Sequence, residues 1–175
     1  MRHSYFLLLL LLTAACSKKS ADDTGGQETQ VLVRNGFEDL EGWVPNNPSL
    51  TKENPHSGQY SVKVDPAIEY SLTYINPIGH LSPTRINKIR LKAWTYQAKP
   101  GKAAVVVQIN SPEPNGPSVF YQKFDLSEVS KWTELSQVLT MPAVLDPASQ
   151  IRIYLWRFEA GGPAYMDDIE LSVEP

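Results

Sequence analysis

The sequence predicts an all-β fold, an antiparallel β-sandwich or jelly roll. Three observations predict it. From Val31 onward, short runs alternate apolar and polar side chains, the period-2 mark of strands with one buried face. Gly- and Pro-rich turns separate those runs: Pro100-Gly101, Pro112 to Pro117 ("PEPNGP"), Asp146-Pro147 and Gly161-Gly162-Pro163. No long stretch carries the 3.6-residue period of an amphipathic helix, and no internal repeat is present. Nine or ten short strands with turns between them suit a two-sheet domain.

The first element is a leader. Arg2 and His3 precede the apolar run Tyr5 to Leu12, which is too short to span a bilayer as a helix. Thr13-Ala14-Ala15 then leads into Cys16, the layout of a secretory signal peptide. Small residues before the chain's only cysteine resemble the lipobox of bacterial lipoproteins, with Thr13 where leucine is usual. That resemblance implies a signal peptide over 1–15 and lipidation of Cys16. It also implies a lipid-anchored place in the bacterial cell envelope, at the outer membrane and surface-exposed. Ser17 to Gln30 holds no large apolar residue and reads as a disordered tether spanning about 20 Å. Its Asp22-Asp23 pair is similar to surface-export signals of outer-membrane lipoproteins. Residues 31–175 then form a single domain.

The strands follow in order. Tyr60, Val62 and Val64 alternate with Ser61, Lys63 and Asp65. Ile68, Tyr70, Leu72 and Tyr74 alternate with Glu69, Ser71 and Thr73. Ile89, Leu91, Ala93 and Thr95 alternate with Arg90, Lys92, Trp94 and Tyr96. Val105, Val107 and Ile109 alternate with Val106, Gln108 and Asn110. Further β-rich runs cover Val119–Phe124, Trp132–Thr140, Ile151–Phe158 and Tyr165–Val173.

Charge and chemistry narrow the function. The formal net charge is −3, one unit more negative once Arg2 leaves with the leader, so nucleic acid is not the expected partner. One cysteine allows no internal disulfide. The histidines His56 and His80 lack metal-ligand spacing, and no Gly-x-Ser-x-Gly elbow or phosphate loop occurs. Asp167 and Asp168 are the best-clustered acids, but neighbours on a strand point to opposite faces and suit a shared active site poorly. A glycan-degrading enzyme is the third-ranked expectation, behind two non-catalytic ones.

Three segments carry a resemblance: "NGFEDLEGW" from Asn35, "SGQYSVKV" from Ser57 and "YMDDIEL" from Tyr165, with "LKAWTY" and Lys131-Trp132 between them. Together they resemble the carbohydrate-binding modules of the galactose-binding-like jelly-roll superfamily, over nearly all of 31–175. The resemblance implies a structural calcium ion held by Glu38 and by Asp167, with Asp168 the alternative, plus carbonyls near Ser57-Gly58. Calcium takes hard oxygen ligands of this kind. It also implies that Trp132 packs into the core; Trp43, just after the calcium loop, is expected to be structural.

Glycan binding on one sheet face is the leading expectation. Aromatic rings offer flat apolar surfaces to sugar C–H groups, and polar neighbours fix orientation. Two runs have such a mixed face, Arg90/Lys92/Trp94/Tyr96 and Arg152/Tyr154/Trp156/Phe158. Trp94, Tyr96, Tyr154 and Trp156 are the candidate platform, with Arg152 and Gln108 as polar partners, although core packing is open for each ring. Arg90, Lys92 and Arg152 raise an acidic glycan. The alternative is a structural or interaction module with a cell-envelope protein partner.

Overall fold

The computed structural model describes residues 29–159 and 161–175. The leader, Cys16 and most of the tether lie outside the described residues. The described residues hold ten strands: β1 (Val31–Asn35), β2 (Leu50–Thr51), β3 (Ser61–Val64), β4 (Tyr74–Pro77), β5 (Lys88–Gln97), β6 (Ala103–Asn110), β7 (Ser118–Asp125), β8 (Thr133–Thr140), β9 (Gln150–Arg157) and β10 (Ala164–Val173). A single α-helical turn, α1 (Ile78–Leu81), follows β4, and a 3-10 turn spans Glu38–Leu40.

The strands form two antiparallel sheets. One runs β2-β3-β10-β5-β8, with β1 also paired to β10; the other runs β4-β9-β6-β7. Alternation decides which side of each sheet is buried. Ile89, Leu91 and Ala93 of β5, Ile169 and Leu171 of β10 and Val62 and Val64 of β3 join one apolar cluster. Val105, Val107 and Ile109 of β6 and Ile151, Ile153 and Leu155 of β9 belong to the same cluster. Burying each such side chain contributes roughly 1.5–3 kcal/mol before entropy is counted. The opposite sides of β5 and β9 therefore face outward on two different sheets, and the fold turns them away from each other.

Four expectations need correction. The strand expected over Ile68–Tyr74 is regular only from Tyr74. Asp65 and Ile68 exchange backbone hydrogen bonds at 3.0 Å in a tight reversal. The Ser71 hydroxyl then accepts the Leu155 N–H at 2.9 Å in place of a ladder carbonyl. The segment still lines β9, with Tyr70 bridging Trp156.

Trp43 is not structural: 88% of it is exposed. Its N–H and that of Val44 bond back to the Leu40 carbonyl, which makes a tight turn and leaves the indole outside. Trp132 does not enter the core between the sheets. It immediately precedes β8, and its ring meets His56 and Tyr96 on the outer side of the larger sheet.

Asp167 and Asp168 do not face opposite ways. The register with β5 slips between Asp167 and Glu170, and Asp168 takes a left-handed φ of 48°. This bulge inserts one residue. Met166 and Ile169 both stay in the core, and both aspartates bond the same turn at His56-Ser57.

Candidate functional site

The outer face of the β4-β9-β6-β7 sheet is built by cross-strand rows. Trp156 of β9 lies opposite Ala104, Tyr154 opposite Val106, Arg152 opposite Gln108, and Gln150 opposite Asn110. On the far side of β6 the same rows continue to Asp125, Lys123 and Tyr121. On the near side, Ile75 lies opposite Arg152 and Tyr70 bridges Trp156. Side chains opposite one another in a sheet stand close enough to touch. Ala104 and Val106 are fully buried although they point outward; they are small residues between large ones.

The aromatics form a connected group. Tyr70 lies parallel to Trp156, within 5° and 6.0 Å between centroids. Tyr70 meets Tyr154 edge-on at 6.0 Å, and Trp156 meets Phe158 at 4.9 Å. Lys123 sits 3.8 Å above the Phe158 ring and pairs with Asp125 at 3.0 Å. Tyr70 is 51% exposed, Tyr121 50% and Ile75 47%, so apolar surface stands open along the face.

Polar groups stand beside the rings. Tyr154 Oη donates to Gln108 Oε1 at 3.2 Å, and Trp156 Nε1 donates to Glu69 Oε1 at 3.2 Å. Burial pushes the Tyr154 hydroxyl above the ordinary tyrosine pKa. The Asn110 Oδ1 and Arg152 Nε atoms are buried and make no hydrogen bond. A groove of ≈ 580 Å³, lined by Pro66, Ala67, Glu69, Arg157, Phe158 and Glu159, continues the aromatic end of the face.

Of the six candidate ligand residues, the fold brings Tyr154, Trp156, Arg152 and Gln108 together here. It places Trp94 and Tyr96 on the outer side of the other sheet. There Trp94 carries His56 stacked at 4.0 Å, and Tyr96 packs against Trp132 and Tyr165. Arg90 is clamped there too, with Nε and Nη2 on the two Glu174 carboxylate oxygens at 2.9 and 2.7 Å. Lys92 lines a separate groove with Arg34, Trp94, Glu134 and Glu170.

Tyr70, Ile75 and Tyr121 were not singled out as site residues from the sequence. Tyr121 had a usable signal, because Val119, Tyr121 and Lys123 alternate with Phe120, Gln122 and Phe124. Tyr70 had none, since its run reads as a strand with Tyr70 on the aliphatic side.

The three candidate metal residues each hydrogen-bond the turn at residues 56–60. Phe37, with φ 61° and a buried ring, delivers Glu38 to the turn after His56. Glu38 Oε1 accepts the N–H groups of Gln59 and Tyr60, both at 2.9 Å. Gly58 has φ 58°, and a Cβ there would strike the Glu38 carboxylate, so glycine is required on both counts. Asp167 Oδ2 accepts from the His56 and Ser57 N–H groups at 2.9 and 3.2 Å. Asp168 accepts from the Ser57 hydroxyl at 2.8 Å and contacts His56 Nδ1 at 2.6 Å.

Asp167 is wholly buried. Desolvation raises its carboxyl pKa to about 6, against the backbone hydrogen bonds that lower it. The oxygen chemistry fits a hard cation such as calcium. The side chains do not form a ready cage: among the described residues, no group of three or more His, Cys, Asp or Glu is placed to hold a metal.

Two packed antiparallel sheets, one with an open row of aromatic and amide side chains, define a jelly-roll module of the binding type. The chain belongs to the carbohydrate-binding domain family CBM_4_9, whose model matches residues 29–161. Solved structures share the fold. The CBM22-1 xylan-binding domain from Paenibacillus barcinonensis Xyn10C is 15% identical with a TM-score of 0.55, covering 83% of this chain and 95% of that one. The CBM22-2 xylan-binding domain of the same protein is 13% identical with a TM-score of 0.58, covering 82% and 99%. A family 16 carbohydrate-binding module is 19% identical with a TM-score of 0.56, covering 83% and 100%. At such identities the likeness is one of fold. A comparison with curated proteins finds no match.

Proposed function

We propose that this carbohydrate-binding domain is a non-catalytic module that holds a poly- or oligosaccharide across the outer face of the β4-β9-β6-β7 sheet. The observation that carries the reading is the connected row Tyr70, Tyr154, Trp156 and Phe158, beside Gln108, Asn110 and Arg152. Parallel rings receive the apolar faces of successive sugars, and the amides and guanidinium orient their hydroxyls. Xylan, which the names of two structural neighbours mention, is the first polymer to try.

Cys16 carries the lipid in this proposal, and the tether holds the domain just off the outer membrane of a bacterial cell. A structural calcium ion at Glu38 and Asp167 belongs to the same proposal. It would supply positive charge to a dehydrated carboxylate that has only neutral N–H donors.

The test is affinity electrophoresis of the full chain in gels containing neutral or acidic polysaccharides. Retardation by one polymer that is lost in Trp156→Ala supports the reading. A folded protein retarded by no polymer in a broad panel sinks it. The exposed Trp43 favours a second reading, a protein-interaction role at the edge of the domain. Trp43→Ser would then abolish capture of an envelope protein and leave glycan retardation unchanged.

A further inference from the structure

The charges on the platform are unevenly matched. Lys123 has its carboxylate, Asp125, at 3.0 Å. Arg152 has none. It stands between Ile75 and Gln108 in its row, and its one side-chain hydrogen bond runs from Nη2 to the neutral Gln150 Oε1 at 3.2 Å. Its Nε is buried and bonds nothing. Among the described residues no carboxylate lies within salt-bridge distance of it, whereas Arg90 is held by both oxygens of Glu174 on the other sheet. A half-buried guanidinium without an anion has lost hydration and gained only this one neutral hydrogen bond in return.

The surrounding groups suit an incoming anion. Tyr154 donates to Gln108 Oε1, which leaves the Gln108 amide N–H groups as donors beside Arg152. Tyr121, half exposed, comes next in the same row. Arginine binds carboxylates through charge-assisted hydrogen bonds, stronger than neutral ones.

The other end of the platform carries a carboxylate that is unpaired among the described residues, while a nearby cation, Lys123, 5.9 Å from the Trp156 ring, is already paired with Asp125. Glu69 accepts from Trp156 Nε1 and has no cation within salt-bridge distance among the described residues. Trp156 is four residues along β9 from Arg152, about 13 Å at the rise of a strand. A polymer with an acid on every sugar would set one of them against Glu69.

We infer that Arg152 makes this face selective for a glycan that carries isolated carboxylates on an otherwise neutral chain, such as a neutral backbone with scattered uronic acid side groups. This rests on the reading of the face as the glycan platform. The carboxylate sits on the row Ile75–Arg152–Gln108–Tyr121, and the neutral sugars cover Trp156 and Tyr70.

The experiment compares polymers matched in backbone. The full chain, Arg152→Gln, Arg152→Lys and Trp156→Ala are run against plain xylan and glucuronic acid-substituted xylan. Hydroxyethyl cellulose and sparsely substituted carboxymethyl cellulose make a second pair, and polygalacturonate is the densely charged control. The full chain is expected to bind the acidic member of a pair about tenfold more tightly, the scale of one hydrogen bond to a charged group. Added salt shrinks that preference.

Arg152→Gln is expected to remove the preference, with a clearly larger loss of affinity for the acidic member of a pair than for the neutral one, and Arg152→Lys to retain part of it. Equal binding of both members by the full chain overturns the inference and leaves the platform standing. So does an equal loss on both in a folded Arg152→Gln protein. Polygalacturonate bound as tightly as the sparsely charged polymers overturns the requirement for isolated carboxylates. Absence of binding to every polymer, or binding untouched by Trp156→Ala, overturns the platform and the inference with it.

Discussion

The His56 imidazole lies flat on the Trp94 indole, with ring centroids 4.0 Å apart and planes within 12°. One face of this tryptophan is thereby covered by the protein itself. Trp156, its counterpart on the other sheet, is flanked by the open Tyr70 ring.

This contrast predicts opposite outcomes for two similar substitutions. Trp94→Ala should destabilise the domain by about 1–3 kcal/mol and leave glycan affinity nearly unchanged. Trp156→Ala should weaken glycan binding at least about tenfold, or 1.4 kcal/mol, with the smaller loss of stability. Thermal melts and isothermal titration calorimetry on both variants check this. Trp94→Ala that abolishes binding and keeps its melting temperature would move the site to the other sheet.

Asp168 predicts a backbone effect. Its φ of 48° lies in a region that asparagine tolerates and a β-branched residue does not. Asp168→Val should lower stability by about 1–3 kcal/mol more than Asp168→Asn, the cost scale of such strain. Equal denaturation midpoints for the two would show that the bulge can be rearranged.

Calcium removal is the test of the proposed ion. Protein stripped with a chelator should melt lower than protein given calcium, and Glu38→Ala should remove the difference. No shift in either protein, with no metal found by elemental analysis, would refute the ion and leave that end held by the hydrogen bonds to residues 56–60, the β1–β10 pairing and the buried Phe37.

The raised carboxyl of Asp167 sets a pH dependence in metal-free protein. Its folded pKa of about 6 lies above the ordinary aspartate value of 3.8. The folded state therefore binds this proton more tightly than the unfolded chain. The associated stability is fully present below the unfolded pKa and is lost as pH rises through 6. Chelated wild type should lose stability between about pH 4 and 6 relative to Asp167→Asn, followed by urea midpoints across that range. Parallel pH profiles for the two proteins would refute it.

The core predicts the largest single effect. Ile153 is wholly buried between the sheets, so Ile153→Ala should cost about 2–5 kcal/mol. A urea titration reads it directly, and a loss under about 1 kcal/mol would contradict the packing described.

By itself, the sequence determined the layers and the inward faces. Alternation in Ile89–Tyr96, Val105–Asn110 and Ile151–Phe158 needs only the two-residue period of a strand, which is a local property. The same local signal put Trp94 and Trp156 on the faces opposite the aliphatic ones and left their packing open, which the structure resolves by turning both away from the core. The family resemblance, not the alternation, singled out Glu38, Asp167 and Asp168, and the structure ties each of them by hydrogen bonds to the turn at residues 56–60.

Only the tertiary structure decided which outward faces join. β9 pairs with β6 and β4, whereas β5 pairs with β10 and β8. Strand pairing is a contact between distant segments and leaves no mark in either strand's own alternation. It split the six candidate ligand residues between two sheets and added Tyr70, Ile75 and Tyr121 to one of them. The bulge at Asp168 was equally hidden. One inserted residue reverses the facing of everything after it, and only the partner strand's register reveals the insertion.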